Sequence, residues 1–344
     1  MSEQIPSRGP PFWGREAELH PVLEKVLKNC NVKKGDKIIL FTDTRKDRGI
    51  VQAFFSAALN LDLDVQILLT TPLSVRGDPP KHVVDYLKSA DLVVNLLTME
   101  WLYQKSHSEV LNAGSRVLMC VESTETLLKL PPNETVKKRV ELSQELLKDC
   151  KEFRVISETG SDFTVRRGDR HVNARTGFPT KPGEFANFPN SMVNFAPMED
   201  SAEGTLVLSP GDCLIQHKRF LKEPIACRLA GGKIVEIEES GEDSRFLKSS
   251  LEKFNDPSVY VISHIGWGCE QRAEIDQNSY RPMELESYGG NVLLAFGSND
   301  SSNLGGKNKA PTHLDICVLN EDVIVDGVPF IEKGKFVHPK LAHL

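Results

Sequence analysis

The first 150 residues constrain the fold most. Four apolar runs, KIILFTD (37–43), VQILLTT (65–71), ADLVVNLLT (90–98) and RVLMCVE (116–122), alternate with helical stretches around residues 17–30, 48–60, 80–89 and 106–113. Runs that are apolar at consecutive positions belong to strands covered on both faces, and their alternation with helices makes the strands parallel. Residues 1–150 therefore read as a doubly wound α/β domain. A further helix over 132–150, with Asn133 as its cap, leads out of it as a connection. From 151 to 344 the rhythm changes to short strands and turns, among them FRVISET, SDFTVRR, EGTLVLSPGD, KIVEIEES, SVYVISHIGWG, NVLLAFGS, HLDICVL and EDVIVDG, with one helix at about 243–254. This half is expected to be a mostly antiparallel α+β domain and to carry the site. No internal repeat or low-complexity tract interrupts either half.

The bulk properties narrow the function. A length of 344 residues suits two domains. The net charge of −6 lacks the basic excess of a nucleic-acid binder, so no nucleic-acid partner is expected. The seven cysteines are scattered, form no CxxC pair and sit in apolar surroundings, which fits reduced thiols in a cytoplasmic protein. No basic-then-apolar signal opens the sequence, and no apolar run approaches the ~20 residues that span a bilayer, so no membrane partner is expected. Doubly wound sheets often hold nucleotides where the strand order reverses. Here FTDTRKDRG after the first strand lacks the glycines of GxGxxG, and GxxxxGK[ST] occurs nowhere. NLGGKNK (303–309) lacks the leading glycine and the closing Ser or Thr, so nucleotide binding is not expected.

The chemistry points to the second half. In PTHLDICVLN (311–320), His313 and Asp315 are two positions apart and project from one face of an extended strand, while Leu314 and Ile316 project from the other. Most other histidines have ordinary settings: His20 and His82 on amphipathic helices, His107 at a helix start, His171 and His217 in polar stretches, His338 and His343 in the tail. His264 differs, because it closes the strand VYVISH and opens the glycine turn IGWG, at the mouth of a scaffold where sites tend to lie. Together His264, His313 and Asp315 make two imidazoles and one carboxylate, the ligand set of non-haem Fe(II) centres with open positions for oxygen and substrate. The HxD pair alone is weak evidence. With 48 acids in 344 residues, a histidine meets one at i+2 about one time in seven. A core histidine satisfied by an aspartate is an equal alternative at this point.

Longer stretches carry a resemblance. FNDPSVYVISHIGWG with Arg272 following, then GGNVLLAFGSN, GGKNKAPTHLDI and VIVDG, resemble the family of 2,5-dihydroxypyridine 5,6-dioxygenases. The same layout, with PGEFANFP and SAEGTLVLSPGD, is similar more distantly to aminopeptidases of the aminopeptidase T kind. The first resemblance implies a mononuclear, extradiol-type enzyme in which His264, His313 and Asp315 bind one Fe(II). It implies a small aromatic N-heterocyclic substrate and O2 as partners, a homo-oligomer, and opening of the ring beside its hydroxyl, which for 2,5-dihydroxypyridine gives N-formylmaleamate. The second implies a dinuclear peptidase needing extra carboxylates. NSMVNF (190–195) has none, and His264 stands where another would be, which argues against peptide hydrolysis.

This sequence also departs from the dioxygenases. They carry an Arg-bearing segment before YGN and a histidine in the stretch that here reads EFANFP; Tyr288-Gly289-Gly290 and Asn187 stand here instead, so the substrate is expected to differ. Ser298, Asn187, Trp267, Tyr288 and Arg272 are candidates to contact it, each equally readable as a turn or rim residue. Glu203 is a candidate to orient a ligand histidine. Lys307, which with Thr312 flanks the HxD strand, could face an anionic oxygen, and His107 and His171 are candidate proton acceptors. Dioxygenase, aminopeptidase and non-catalytic binding protein stay open here, separable by metal content.

Overall fold

The computed structural model describes residues 13–74, 77–99, 101–102, 104–278, 281–301 and 303–344. The chain begins with α1 (Trp13–Asn29), β1 (Lys37–Asp43), α2 (Arg48–Asn60), β2 (Asp64–Thr70), α3 (Lys81–Leu87), β3 (Leu92–Asn95), α4 (Lys105–Asn112), β4 (Arg116–Met119), α5 (Thr124–Lys129) and α6 (Glu134–Leu147). It continues through β5 (Glu152–Ile156), β6 (Asp162–Arg166), β7 (Asn173–Arg175), β8 (Phe185–Asn187), β9 (Met192–Phe195), β10 (Glu203–Leu208), β11 (Cys213–Leu214), β12 (Arg219–Phe220), β13 (Ile225–Ala230), β14 (Lys233–Ile237) and α7 (Glu242–Glu252). The last stretch holds β15 (Ile262–Gly268), α8 (Pro282–Ser287), β16 (Val292–Gly297), β17 (His313–Val318), β18 (Asp322–Val325), β19 (Val328–Glu332) and β20 (Lys335–Phe336). Two compact units result, one from residues up to 132 with 177–189, the other from 133–176 with 190–344.

In the first unit, parallel strands run in the order β2-β1-β3-β4-β8. Alternation along β1 sends Ile38 and Leu40 into a core with α1 and α2, and Ile39 and Phe41 into another with α3 and α4, so helices cover both faces. Asp47 caps α2 by accepting the Gly49 N–H at 2.8 Å, a contact worth about 1 kcal/mol. Burial on both faces fails at β2, an edge strand whose Ile67 and Leu69 are exposed. The short strand β8, unforeseen in the sequence, pairs in parallel with β4 through Val117, Leu118 and Met119.

The second unit stacks two antiparallel sheets, ordered β14-β13-β10-β6-β5-β18-β19-β20 and β12-β11-β17-β16-β15-β9-β7. Helix α6, read as a connection, packs Val140 and Leu147 into this unit's core. Phe153, Val155 and Phe163 from one sheet meet Ile265, Trp267, Leu294, Phe296, Leu314 and Ile316 from the other. Side chains alternate along a strand, so burying this set puts His264, Ala295, His313 and Asp315 on the opposite face of the second sheet.

Candidate metal centre

Strand register assembles the centre. Ala295 on β16 stands opposite Asp315 of β17 on one side and His264 of β15 on the other, and Gly297 stands opposite His313. The Ala295 methyl leaves room for the two longer side chains to lean together. Nε2 of His264 lies 2.9 Å from Oδ1 of Asp315, and Nε2 of His313 lies 3.3 Å from the same oxygen. Nitrogen and carboxylate donor atoms of the trio all fall within 4.8 Å of one another. Gly297, at φ 104°, is required at its place, because a Cβ there would sit 2.2 Å from the Thr312 carbonyl oxygen and push β16 off β17 beside His313.

Neighbours fix how each donor points. A register shift between Ile262 and His264 marks a bulge, and Ser263 in it donates its hydroxyl to the Ser298 carbonyl at 2.6 Å. The same carbonyl accepts Nδ1–H of His313 at 2.9 Å, which makes Nε2 the nitrogen turned toward Asp315. Gln216 grips Asp315 twice: its Nε2 donates to Oδ2 at 2.5 Å and its Oε1 accepts the Asp315 N–H at 2.6 Å. Oδ1 is thereby the oxygen turned toward the imidazoles. His264 is 3 % exposed, and its Nδ1 has no hydrogen-bond partner.

Charge follows from these contacts. Burial opposes ionisation of Asp315, but His313 and His264 outweigh it and hold the carboxyl well below the usual carboxylate range. Burial likewise opposes protonation of His313, yet the Asp315 charge wins and pushes it up to about 9. For His264 burial prevails and its pKa falls, so that ring is neutral. Glu286, the fifth residue of α8, is pushed up to about 8 by burial and by the Asp315 charge, against Asn190, His313 and Arg175. Two neutralisable imidazole nitrogens and one carboxylate oxygen, already converging, fit a divalent cation.

Of the expected substrate contacts, Ser298 touches the trio through its backbone carbonyl, while its hydroxyl donates to Asp300 at 2.6 Å. Trp267 is corrected: it is 0 % exposed, stacks on Phe153 with centroids 5.9 Å apart and donates to Ser143 Oγ, on the face away from His264. Arg272 folds back onto the Glu270 carboxylate at 2.6 Å. Tyr288 bridges to Glu270 and borders a cleft with Gln271, Gly334 and Phe336. Asn187 ends β8 in the first unit. Glu203 is likewise corrected, since it accepts the Gly231 N–H at 2.7 Å in a turn instead of orienting a ligand. The Lys307 N–H is held by Glu199, and His171 contacts the Asn303 carbonyl. His107 is buried edge-on between Trp101 and Phe185, and burial pushes it down to about 4. Sequence reasoning passed over Gln216, Ser263, Ala295, Glu286 and Asn190; only Ser263, beside His264, carried a local signal.

Known proteins resemble this chain over nearly its whole length. The family model described as 2,5-dihydroxypyridine 5,6-dioxygenase matches residues 18–338. A 2,5-dihydroxypyridine 5,6-dioxygenase of Pseudomonas putida is 32% identical over 345 aligned residues, 94% of this chain and 97% of that protein. The solved structure of 2,5-dihydroxypyridine dioxygenase from Pseudomonas putida superposes with a TM-score of 0.85 at 31% identity, covering 95% of this chain and 99% of that one. AmpT from Thermus thermophilus shares the fold, with a TM-score of 0.65 at 14% identity over 94% of this chain and 100% of that one. By length of match, identity and structure, the chain belongs to the 2,5-dihydroxypyridine 5,6-dioxygenase family.

Proposed function

We propose that this protein is a mononuclear, Fe(II)-dependent dioxygenase that opens a hydroxylated N-heteroaromatic ring such as 2,5-dihydroxypyridine, to N-formylmaleamate, with His264, His313 and Asp315 as the metal ligands. The single observation that carries the reading is the convergence of those three donors on one face of the sheet. Family membership supplies the reaction class and the two reactants, an aromatic ring and O2.

When bound, a ferrous ion supplies the one-electron chemistry that lets ground-state O2 react with the ring. The chain's own residues prepare for it. Burial keeps His264 neutral, and the Ser298 carbonyl holds one proton of His313 on Nδ1, so Nε2 of His313 is the nitrogen that would give up its proton to a cation. Gln216 occupies Oδ2 of Asp315 and restricts that carboxylate to a single donor oxygen, which preserves open positions around a shared cation. Two neutral imidazoles and one carboxylate leave a divalent ion one net positive charge, which favours a ring hydroxyl in its deprotonated form. The apolar sheet core behind the trio excludes water from that side.

The dinuclear peptidase reading draws no support, because β9 presents Met192, Val193 and Asn194 where further carboxylates would be needed. We take the protein as cytoplasmic and homo-oligomeric, in keeping with seven cysteines free of disulfides and with the family resemblance. Among the described residues no helix is long and apolar enough to cross a membrane. The test is an oxygen electrode. Iron-loaded protein given 2,5-dihydroxypyridine and related hydroxypyridines should consume O2 as the aromatic absorbance disappears. Silence with every ring, together with cobalt- or zinc-dependent release of N-terminal residues from peptides, would overturn the proposal.

A further inference from the structure

Strand β2 reads DVQILLT and ends the sheet of the first unit, pairing with β1 without a break from Asp64 beside Lys37 to Thr70 beside Asp43. Two bonds fix its backbone parity: the Asp64 N–H donates to the Asp36 carbonyl at 3.0 Å, and the Thr70 carbonyl accepts the Thr44 N–H at 3.1 Å. Even-numbered residues therefore spend their backbone groups on β1, and alternation turns the N–H and C=O of Val65, Ile67 and Leu69 outward. Side chains alternate with the same period. Leu68 packs on the α3 side and Gln66 accepts the Tyr86 hydroxyl, so that face is covered. On the other face Val65 touches the core of α1 and α2, but Ile67 and Leu69 are 44 % and 61 % exposed. Natural proteins guard an edge strand with a charge, a proline, a bulge or a covering element. Among the described residues, the stretch between Asp64 and Thr70 has none of these along its outer edge.

We propose that a second copy of this chain covers the edge: β2 pairs antiparallel with β2 of the other copy about a two-fold axis at Ile67, and the two sheets become one. The strand is its own complement in that register. Ile67 stands opposite Ile67 and Val65 opposite Leu69, so each outward backbone group finds a partner and each apolar side chain on the open face meets another. A slide by two residues sets Val65 against Thr71, or Leu69 against Leu63, whose N–H already donates to the Ala58 carbonyl. Charge agrees with the same register. The exposed Asp64 of each copy comes to the Thr70 end of the other, where the exposed Arg45 follows Thr44, so opposite charges meet at both ends of the seam. This surface lies apart from the metal centre, and the inference stands independently of the dioxygenase reading.

The test combines native mass with cross-linking of the full-length protein. Ile67 is exposed, so its replacement spares the core. The native protein should sediment as an even number of chains. Ile67→Lys, which sets two like charges face to face across the axis, should halve that number with an unchanged circular dichroism spectrum. Ile67→Cys should be joined into covalent pairs by diamide, because directly paired Cα atoms lie about 5.5 Å apart, within reach of a disulfide. The native cysteines are all buried and do not compete. Gln66→Cys, which stands opposite Leu68 on the other face, should remain unjoined. A monomeric native protein overturns the proposal and leaves the edge to a foreign strand. An assembly whose size survives Ile67→Lys, or whose Ile67→Cys chains join no better than those of Gln66→Cys, overturns it as well.

Discussion

Gln216 holds Asp315 at two points, donating to Oδ2 at 2.5 Å and accepting the backbone N–H at 2.6 Å. Partners of this kind around metal ligands are typically worth ~10- to 100-fold in metal affinity. Gln216→Leu is therefore expected to weaken metal binding by about that factor while the fold persists, as a competition titration against a chelator would show.

Ala295 separates His264 from Asp315 across β16. A β-branched side chain there would wedge the two strands' donors apart. Ala295→Val should cost about 1–3 kcal/mol in stability, as overpacking does, and should lower iron content much more than Ala295→Gly. Thermal unfolding and metal analysis of the same preparations separate the two effects.

Metal uptake should depend on pH through one residue. Asp315 is already ionised and His264 already neutral, whereas His313 is pushed up to about 9 and holds a proton at neutral pH. A cation must displace that proton. Apparent affinity should rise roughly tenfold per pH unit between about 7 and 9 and level off above, because one proton leaves per ion bound. Chelator titrations at several pH values test the slope; a slope of two protons would contradict it.

A second pH effect lies away from the centre. Burial, with the Asp212 charge added, pushes Glu321 up to about 8, and Glu321 Oε2 has no hydrogen-bond partner. Between the ordinary glutamate range and pH 8 the folded protein holds a proton that the unfolded chain has lost, so stability falls as pH rises through that window. Glu321→Gln should stabilise the protein at pH 9 by about 2 kcal/mol and far less at pH 5, read from unfolding midpoints at both.

The sequence exposed what local periodicity encodes. Strand β1 and helix α2 are observed at the residues where apolar runs and helical spacing placed them, Lys37–Asp43 and Arg48–Asn60. His313 and Asp315 share a face because two residues make one period of a strand. The same alternation places Trp267, three residues after His264, on the other face, a signal present in the sequence but not used. Gln216, Ala295 and Glu286 were illegible for a different reason. They are placed by pairings of β11 and β16 with strands distant in sequence and by packing of α8 on β15, and nothing local reports such register. Strand β8 escaped because three residues carry no period.

His264, His313 and Asp315 are expected to hold a single ion. Anaerobic reconstitution with Fe(II), followed by metal analysis of the native protein and of folded His313→Ala, tests this most directly. About one iron per native chain and almost none in the variant is the predicted result. Two ions per native chain, or a variant with undiminished iron, would contradict it.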